Sequence, residues 1–164
     1  MCPPLSRPPK FIAPQVPMLS AEPPEGDGWI HEIKHDGFRT LLRIDRSDIR
    51  AFTRGGHDWS DKYGRVIDAC RKLGCRSALI DREIIVQDEN GLSDFAALRA
   101  AIEGASHRLV MFAFDLLWLG NDLRRLPLIE RREKLRSLLP KDQRCPLQFS
   151  EHWDGSGAAL FKKA

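Results

Sequence analysis

A chain of 164 residues, 42% hydrophobic and 30% charged, is long enough for one core, at the scale where a domain buries roughly 70% of its unfolded surface. A mean hydropathy of −0.37 and the lack of any apolar run near the roughly 18 residues of a spanning helix exclude a transmembrane helix. Collagen, coiled coil and disorder fail on composition. The formal charge of +3, from 26 Lys and Arg against 23 Asp and Glu, permits a polyanion partner without requiring one. Eighteen of those cations are Arg, the side chain suited to bidentate phosphate contacts.

Eight of the eleven prolines fall within the first 24 residues, which predicts an extended, non-helical arm over 1–24 that wraps the domain surface. This segment lacks the charged and apolar regions of a secretory signal. Cys2, Cys70, Cys75 and Cys145 form no C-x-x-C pair, so neither a zinc site nor a disulfide framework is expected, and a reducing cytoplasm is the expected compartment.

From Trp29 the pattern becomes strand-like: 29–34, then 37–45 with Phe38, Thr40, Leu42 and Ile44 on one face, then 49–53. Ser60 is placed to cap a helix reaching about Leu73, with Tyr63, Val66, Ile67 and Cys70 at helical spacing and Gly74 ending it. Residues 78–87 read as a strand, Asp88-Glu89-Asn90-Gly91 as a turn, and Ser93 as the cap of a short helix over 94–102. The apolar, aromatic-rich run 108–119 reads as a central strand. Gly120-Asn121-Asp122 turns the chain, Pro127 opens a helix to about Leu139, 147–150 is a weak strand, and a last helix starts near Gly157. Hairpins interrupted by single helices, with no regular βαβ alternation and no internal repeat, predict an α+β fold of mainly antiparallel sheets flanked by helices.

The stretch Glu32-Ile33-Lys34-His35-Asp36-Gly37-Phe38-Arg39 ends one strand with a Lys and starts the next after a glycine turn. Close to a sheet and beside Arg39, the Lys34 ammonium would be partly desolvated and repelled, which exposes a neutral, nucleophilic amine. Gly37 would let the backbone approach a ligand, and Arg39 suits a nucleotide phosphate or ribose. The plainer alternative is an ordinary hairpin with solvated charges, which holds for most surface lysines. Taken singly, Phe114 is a core residue, Glu83 a solvated strand charge, Arg54 a turn decoration and Asp115 the partner of a neighbouring Arg. His35 carries no assigned role.

Read together, the stretch resembles the K-x-D-G-x-R signature of the covalent nucleotidyltransferases: the ATP-dependent DNA ligases and their RNA-ligase and capping-enzyme relatives. In the family's order, Thr53-Arg54-Gly55-Gly56 resembles Ser-Arg-x-Gly, Asp81-Arg82-Glu83 resembles Asp-Gly-Glu, and Phe112-Ala113-Phe114-Asp115-Leu116-Leu117 resembles the aromatic-Asp element. The run from Trp118 to Arg132 narrows the likeness to DNA ligases, nearest to the ligase module of bacterial end-joining enzymes. Residues 14–19 and Phe149-Ser150-Glu151-His152 look like the edges of that module.

The resemblance implies a ligase-type nucleotidyltransferase fold (ATP-grasp-like), use of ATP with Mg²⁺ or Mn²⁺, and nicked or broken double-stranded DNA as partner, in DNA repair and recombination. It implies that Lys34 attacks the α-phosphate of ATP and holds AMP as a phosphoramidate for transfer to a DNA 5′-phosphate. Glu32 would accept from the adenine amino group, Arg39 and Arg54 would contact sugar or phosphate, Glu83 would serve the ribose or the metal, and Phe114 would stack on adenine.

Two departures stand out. Arg82 replaces the family's glycine, and is expected either to point outward or, pointing inward, to crowd the nucleotide or pair with Glu83. The sequence ends at Ala164, ahead of the family's Glu-Gly-x-x-x-Lys and Lys-x-Lys elements and its OB-fold domain. Residues 25–164 are therefore expected to be a partial adenylation domain, unable to seal nicks alone unless a complementing ligase polypeptide supplies the rest. The competing reading is a catalytically inactive, truncated remnant that binds nucleotide or DNA weakly through Arg39, Arg54, Arg124-Arg125 and Arg131-Arg132. A third, action on RNA ends or cap guanylylation, fits the ligase-like run over 112–132 less well.

Overall fold

Strand and helix runs follow one another as β1 (His31–Glu32), β2 (Phe38–Asp45), β3 (Asp48–Thr53), α1 (Gly64–Cys70), β4 (Ser77–Ile85), α2 (Phe95–Gly104), β5 (Val110–Leu119), α3 (Leu128–Leu138), β6 (Leu147–Phe149) and β7 (His152–Trp153). The structure is a computed structural model that describes residues 6–26, 28–153 and 157–158. It divides into two compact units, Met1–Pro14 with His35–Phe149, and Gln15–Lys34 with Ser150–Ala164. No helix among the described residues is long and apolar enough to cross a membrane.

The first unit is built on a five-stranded sheet of order β3-β2-β4-β5-β6, antiparallel except for the parallel pair β5 and β6. The α+β class read from the sequence is the one observed, with β4 at the centre of the sheet and β5, expected there, beside it. Period-2 alternation in β2 sends Leu42 and Ile44 to one face, where they pack with Ile80, Ile84, Val66, Ile67, Leu98, Met111, Leu116 and Leu135 in the main core. Each side chain fully buried there contributes about 1.5–3 kcal/mol of transfer free energy. Leu41, Phe52 and Leu79 point to the other face and form a smaller cluster with Phe11, Ile12, Leu117 and Trp118.

Residues 6–14 supply that second cover without regular secondary structure. Ser6 donates to the Gly120 carbonyl from both its N–H (3.2 Å) and its hydroxyl (2.7 Å). Ser77 Oγ donates to the Ser6 carbonyl at 2.8 Å and accepts from Trp118 Nε1 at 3.0 Å. Phe11 meets Phe52 edge-on, with ring centroids 6.1 Å apart.

Both serines read as helix caps serve elsewhere. Ser60 Oγ accepts from the Ala51 N–H (2.9 Å) and donates to Asp58 (2.5 Å), tying β3 to a 3-10 turn over Ser60–Tyr63 that precedes the shorter α1. Ser93 accepts from the Asp36 N–H at 3.3 Å. Asp94 caps α2 in its place: its backbone is extended (φ −108°, ψ 98°) and its carboxylate accepts from the Ala97 N–H at 2.8 Å, a charged acceptor that the helix dipole favours. The turn at 88–91 forms as read, with Gly91 at φ 80° and Asp88 accepting from the Asn90 and Leu92 N–H groups.

In the second unit β1 is two residues long, shorter than expected, and pairs antiparallel with β7 (His31 opposite Trp153, Glu32 opposite His152). Gly157 abuts His31 so closely that a Cβ there would lie 2.4 Å from the ring. Beyond Gly157 and Ala158, the expected last helix lies outside the described residues.

Candidate active site

The β2–β4 register sets Arg39 opposite Glu83 and Thr40 opposite Arg82. Arg39 and Glu83 thereby share a face with Asp81, two residues from Glu83 on the same strand. Arg39 closes a fork on Asp81, donating from Nε at 3.1 Å and from Nη2 at 2.8 Å. Its guanidinium also lies 5.4 Å from the centroid of the Phe114 ring. The hydrogen bond to Asp81 raises the pKa of Arg39 against the opposing effect of burial, and the charges of Asp81, Glu83 and Asp115 add to the rise. The result is a fixed, permanently charged cation on an aromatic platform, suited to an anionic or hydroxyl-rich ligand.

Phe114 owes its position to a β-bulge. On β5, Ala113 pairs with Arg82 and Asp115 with Asp81, which leaves Phe114 as the extra residue at the register shift. Ala113 and Leu116 both reach the main core, so Phe114 and Asp115 between them lie outside it, where strict alternation would have turned one inward. Asp115 is bound by Arg131, which donates from Nε (2.8 Å) and Nη2 (2.9 Å) and sends Nη1 to the Leu126 carbonyl (2.7 Å). Asp115 is thus the partner of a neighbouring Arg, as expected of it taken singly.

The residues that follow Lys34 are held from three sides. His35 stacks on Phe112 with centroids 4.1 Å apart and planes at 30°, and burial lowers its pKa, so the ring is neutral at pH 7. The Asp36 N–H reaches Ser93, as described. A Cβ on Gly37 would fall 2.2 Å from the Ile84 carbonyl oxygen and 2.7 Å from Ile85 Cγ2. Gly37 is thus needed for the entry of β2 to meet β4, an intramolecular reason distinct from the ligand approach read in the sequence.

Arg82 takes neither of its expected courses. Alternation turns it away from Asp81 and Glu83 into the main core, where it is 0% exposed and donates from Nη1 to Met111 Sδ at 3.0 Å. Arg54 is exposed in the turn after β3, where Gly56 (φ 82°) donates to the Thr53 carbonyl at 2.8 Å. No bond among the described residues joins it to the Arg39 group. Of the arginine pairs read as DNA contacts, Arg131 and Arg132 are spent inside the fold. Arg132 is 1% exposed, donates to the Phe114 carbonyl at 2.8 Å and lies 4.8 Å from the Phe149 ring centroid. Arg124 is bound to Asp122, with a closest approach of 2.6 Å.

In the second unit, Glu32 accepts a hydrogen bond from Ser150 Oγ at 2.9 Å. Lys34 lies two residues past β1 and is exposed. No group of three or more His, Cys, Asp or Glu among the described residues is arranged to hold a metal ion. With Asp81 bound to Arg39 and Asp115 to Arg131, the donor set fits Mg²⁺ carried by phosphate oxygens and water better than an ion caged by protein.

The fold is thus an α+β domain whose mixed sheet carries a cation–carboxylate–aromatic group on one face. A family model of the ATP dependent DNA ligase domain matches residues 17–163, and the chain belongs to that family. It is 40% identical over 144 residues to the multifunctional non-homologous end joining protein LigD of Pseudomonas aeruginosa, covering 87% of this chain and 17% of the relative. The SPbeta prophage-derived DNA ligase-like protein LigB of Bacillus subtilis is 29% identical over 158 residues, covering 94% and 56%. The crystal structure of the ligase domain of Mycobacterium tuberculosis LigD superposes with a TM-score of 0.65 at 25% identity, over 82% of this chain and 43% of that one. A mycobacterial DNA ligase D solved with ATP and MES gives the same values. The chain thus spans from 17% to 56% of the length of these two curated relatives.

Proposed function

We propose that this chain carries out the adenylation step of ATP-dependent DNA ligation in end-joining repair, with Lys34 as the nucleophile. The uncharged Lys34 amine attacks the α-phosphorus of ATP. An N–P bond forms, the bond from that phosphorus to the β-phosphate bridging oxygen breaks, pyrophosphate leaves and the amine gives up one proton. The AMP then passes to a DNA 5′-phosphate, from which a 3′-hydroxyl displaces it as the nick is sealed.

The observation that carries this reading is the Arg39 fork on Asp81 above the Phe114 ring, in a chain of the ligase-domain family whose solved mycobacterial relative holds ATP. Phe114 stacks on adenine, Arg39 and Arg54 meet the sugar or phosphates, and Glu32 accepts from the adenine amino group. Glu83 serves the ribose or the metal. A divalent cation, Mg²⁺ or Mn²⁺, would neutralise charge on the phosphate oxygens. Residues 25–164 are the adenylation portion and 1–24 its arm. In such transfers the protein contributes mainly in-line positioning and fixed charge, each preorganised group being worth about 10²–10³ in rate.

The test is incubation with α-³²P-ATP and Mg²⁺, followed by denaturing electrophoresis. Label on the wild type that disappears in Lys34→Ala is the expected result. Label retained by Lys34→Ala, or a wild type that takes no label and binds no nucleotide, overturns the proposal.

A further inference from the structure

Between the two acids of β4 lies a cation to which no carboxylate among the described residues is bonded, Asp81 acting on it only through space. Arg82 is 0% exposed; Nη1 reaches the Met111 sulfur, and among the described residues Nε and Nη2 meet no hydrogen-bond partner. Across the strands it faces Thr40 on β2 and Ala113 on β5. Tyr63 packs beside Thr40, whose side chain its buried hydroxyl meets. The acid next to Arg82 in sequence, Asp81, is held by Arg39 on the other face of the sheet. Cys70, within electrostatic reach, stays a thiol because burial pushes its pKa up to about 12. Burial pulls the Arg82 guanidinium down to about 10, which leaves it protonated at neutral pH. A buried monopole of this kind is ordinarily cancelled by pairing, because its desolvation is costly.

We propose that the core beneath β4 holds a small inorganic anion, a halide of the size of chloride, bound by Arg82 Nε and Nη2. Water could accept from the same donors but would leave the buried charge uncancelled. An anion accepts from the donors and removes the net charge as well. It also steadies from behind the residue between Asp81 and Glu83, on the strand carrying those acids.

The wild-type protein is crystallised in bromide for anomalous diffraction, and its melting temperature is measured in chloride, bromide and gluconate at matched ionic strength, beside Arg82→Met. A bromine peak within contact of Arg82 Nε and Nη2 is expected. So is a wild-type Tm on the order of 2–8 °C higher in halide than in gluconate, with Arg82→Met indifferent. No bromine peak there overturns the proposal. A peak without any halide dependence of the wild-type Tm marks an adventitious ion only and overturns it too, as does a halide dependence that Arg82→Met retains. If Arg82→Met does not fold, the two wild-type measurements still decide.

Discussion

Arg39 is the residue on which the candidate site turns, because it is fixed to Asp81 at two points and lies over Phe114. A Lys at this position keeps the charge and loses the planar fork. Arg39→Lys should therefore cost about 1.5–3 kcal/mol of the charge-assisted bonding, seen as a roughly 10- to 150-fold slower lysyl-AMP labelling at limiting ATP. An unchanged melting temperature would separate this from a folding defect. The ordered motifs made Arg39, Glu83 and Phe114 legible as a group. What they did not carry was the direction of each side chain. Arg82 and its neighbours are assigned to opposite faces only by the pairing of Thr40 with Arg82, and a slip of one residue would exchange them. The bulge that frees Phe114, and the stack of His35 on Phe112, arise from contacts distant in sequence and leave no local trace.

At the level of the element, the sequence placed most strands to within a residue or two because alternation and apolar runs report burial directly. Helix starts were harder, since several residues near each start could serve as cap. Ser93 and Asp94 are adjacent and chemically equivalent on paper; the structure gives the cap to Asp94 and sends Ser93 to Asp36. Asp94→Ala should therefore destabilise the protein by about 1 kcal/mol, or roughly 2–4 °C in Tm. Ser93→Ala should cost less than that in urea unfolding, and should slow labelling if the segment after Lys34 needs the Ser93 anchor. The parallel pairing of β5 with β6 was likewise invisible, because a three-residue strand carries too little pattern to give its direction.

For the molecule as a whole, surface ion pairs set the acid limit. The Arg124 hydrogen bond holds the Asp122 carboxyl down at about 2, and Asp48, bonded chiefly to Arg50, is also lowered. Their unfolded values lie near 3.9. The folded state thus binds fewer protons than the unfolded state in this window, and the stabilisation present above about pH 4 is lost as pH falls towards 2. Melting temperatures followed from pH 7 to pH 2 should fall below pH 4, and the fall should be shallower at high salt, which screens such exposed pairs.

The seam between Ser6 and Gly120 spans 114 positions of sequence. During synthesis, residues 6–14 emerge well before β4 and the end of β5, the surfaces that receive them, and must wait unpaired until those strands are in place. Docking of this segment is then a late event, of the kind that long-range closure makes slow. Phe11→Ala should accordingly speed unfolding severalfold and leave the refolding rate nearly unchanged in stopped-flow denaturant jumps. The segment would act as a latch on a sheet that has already formed.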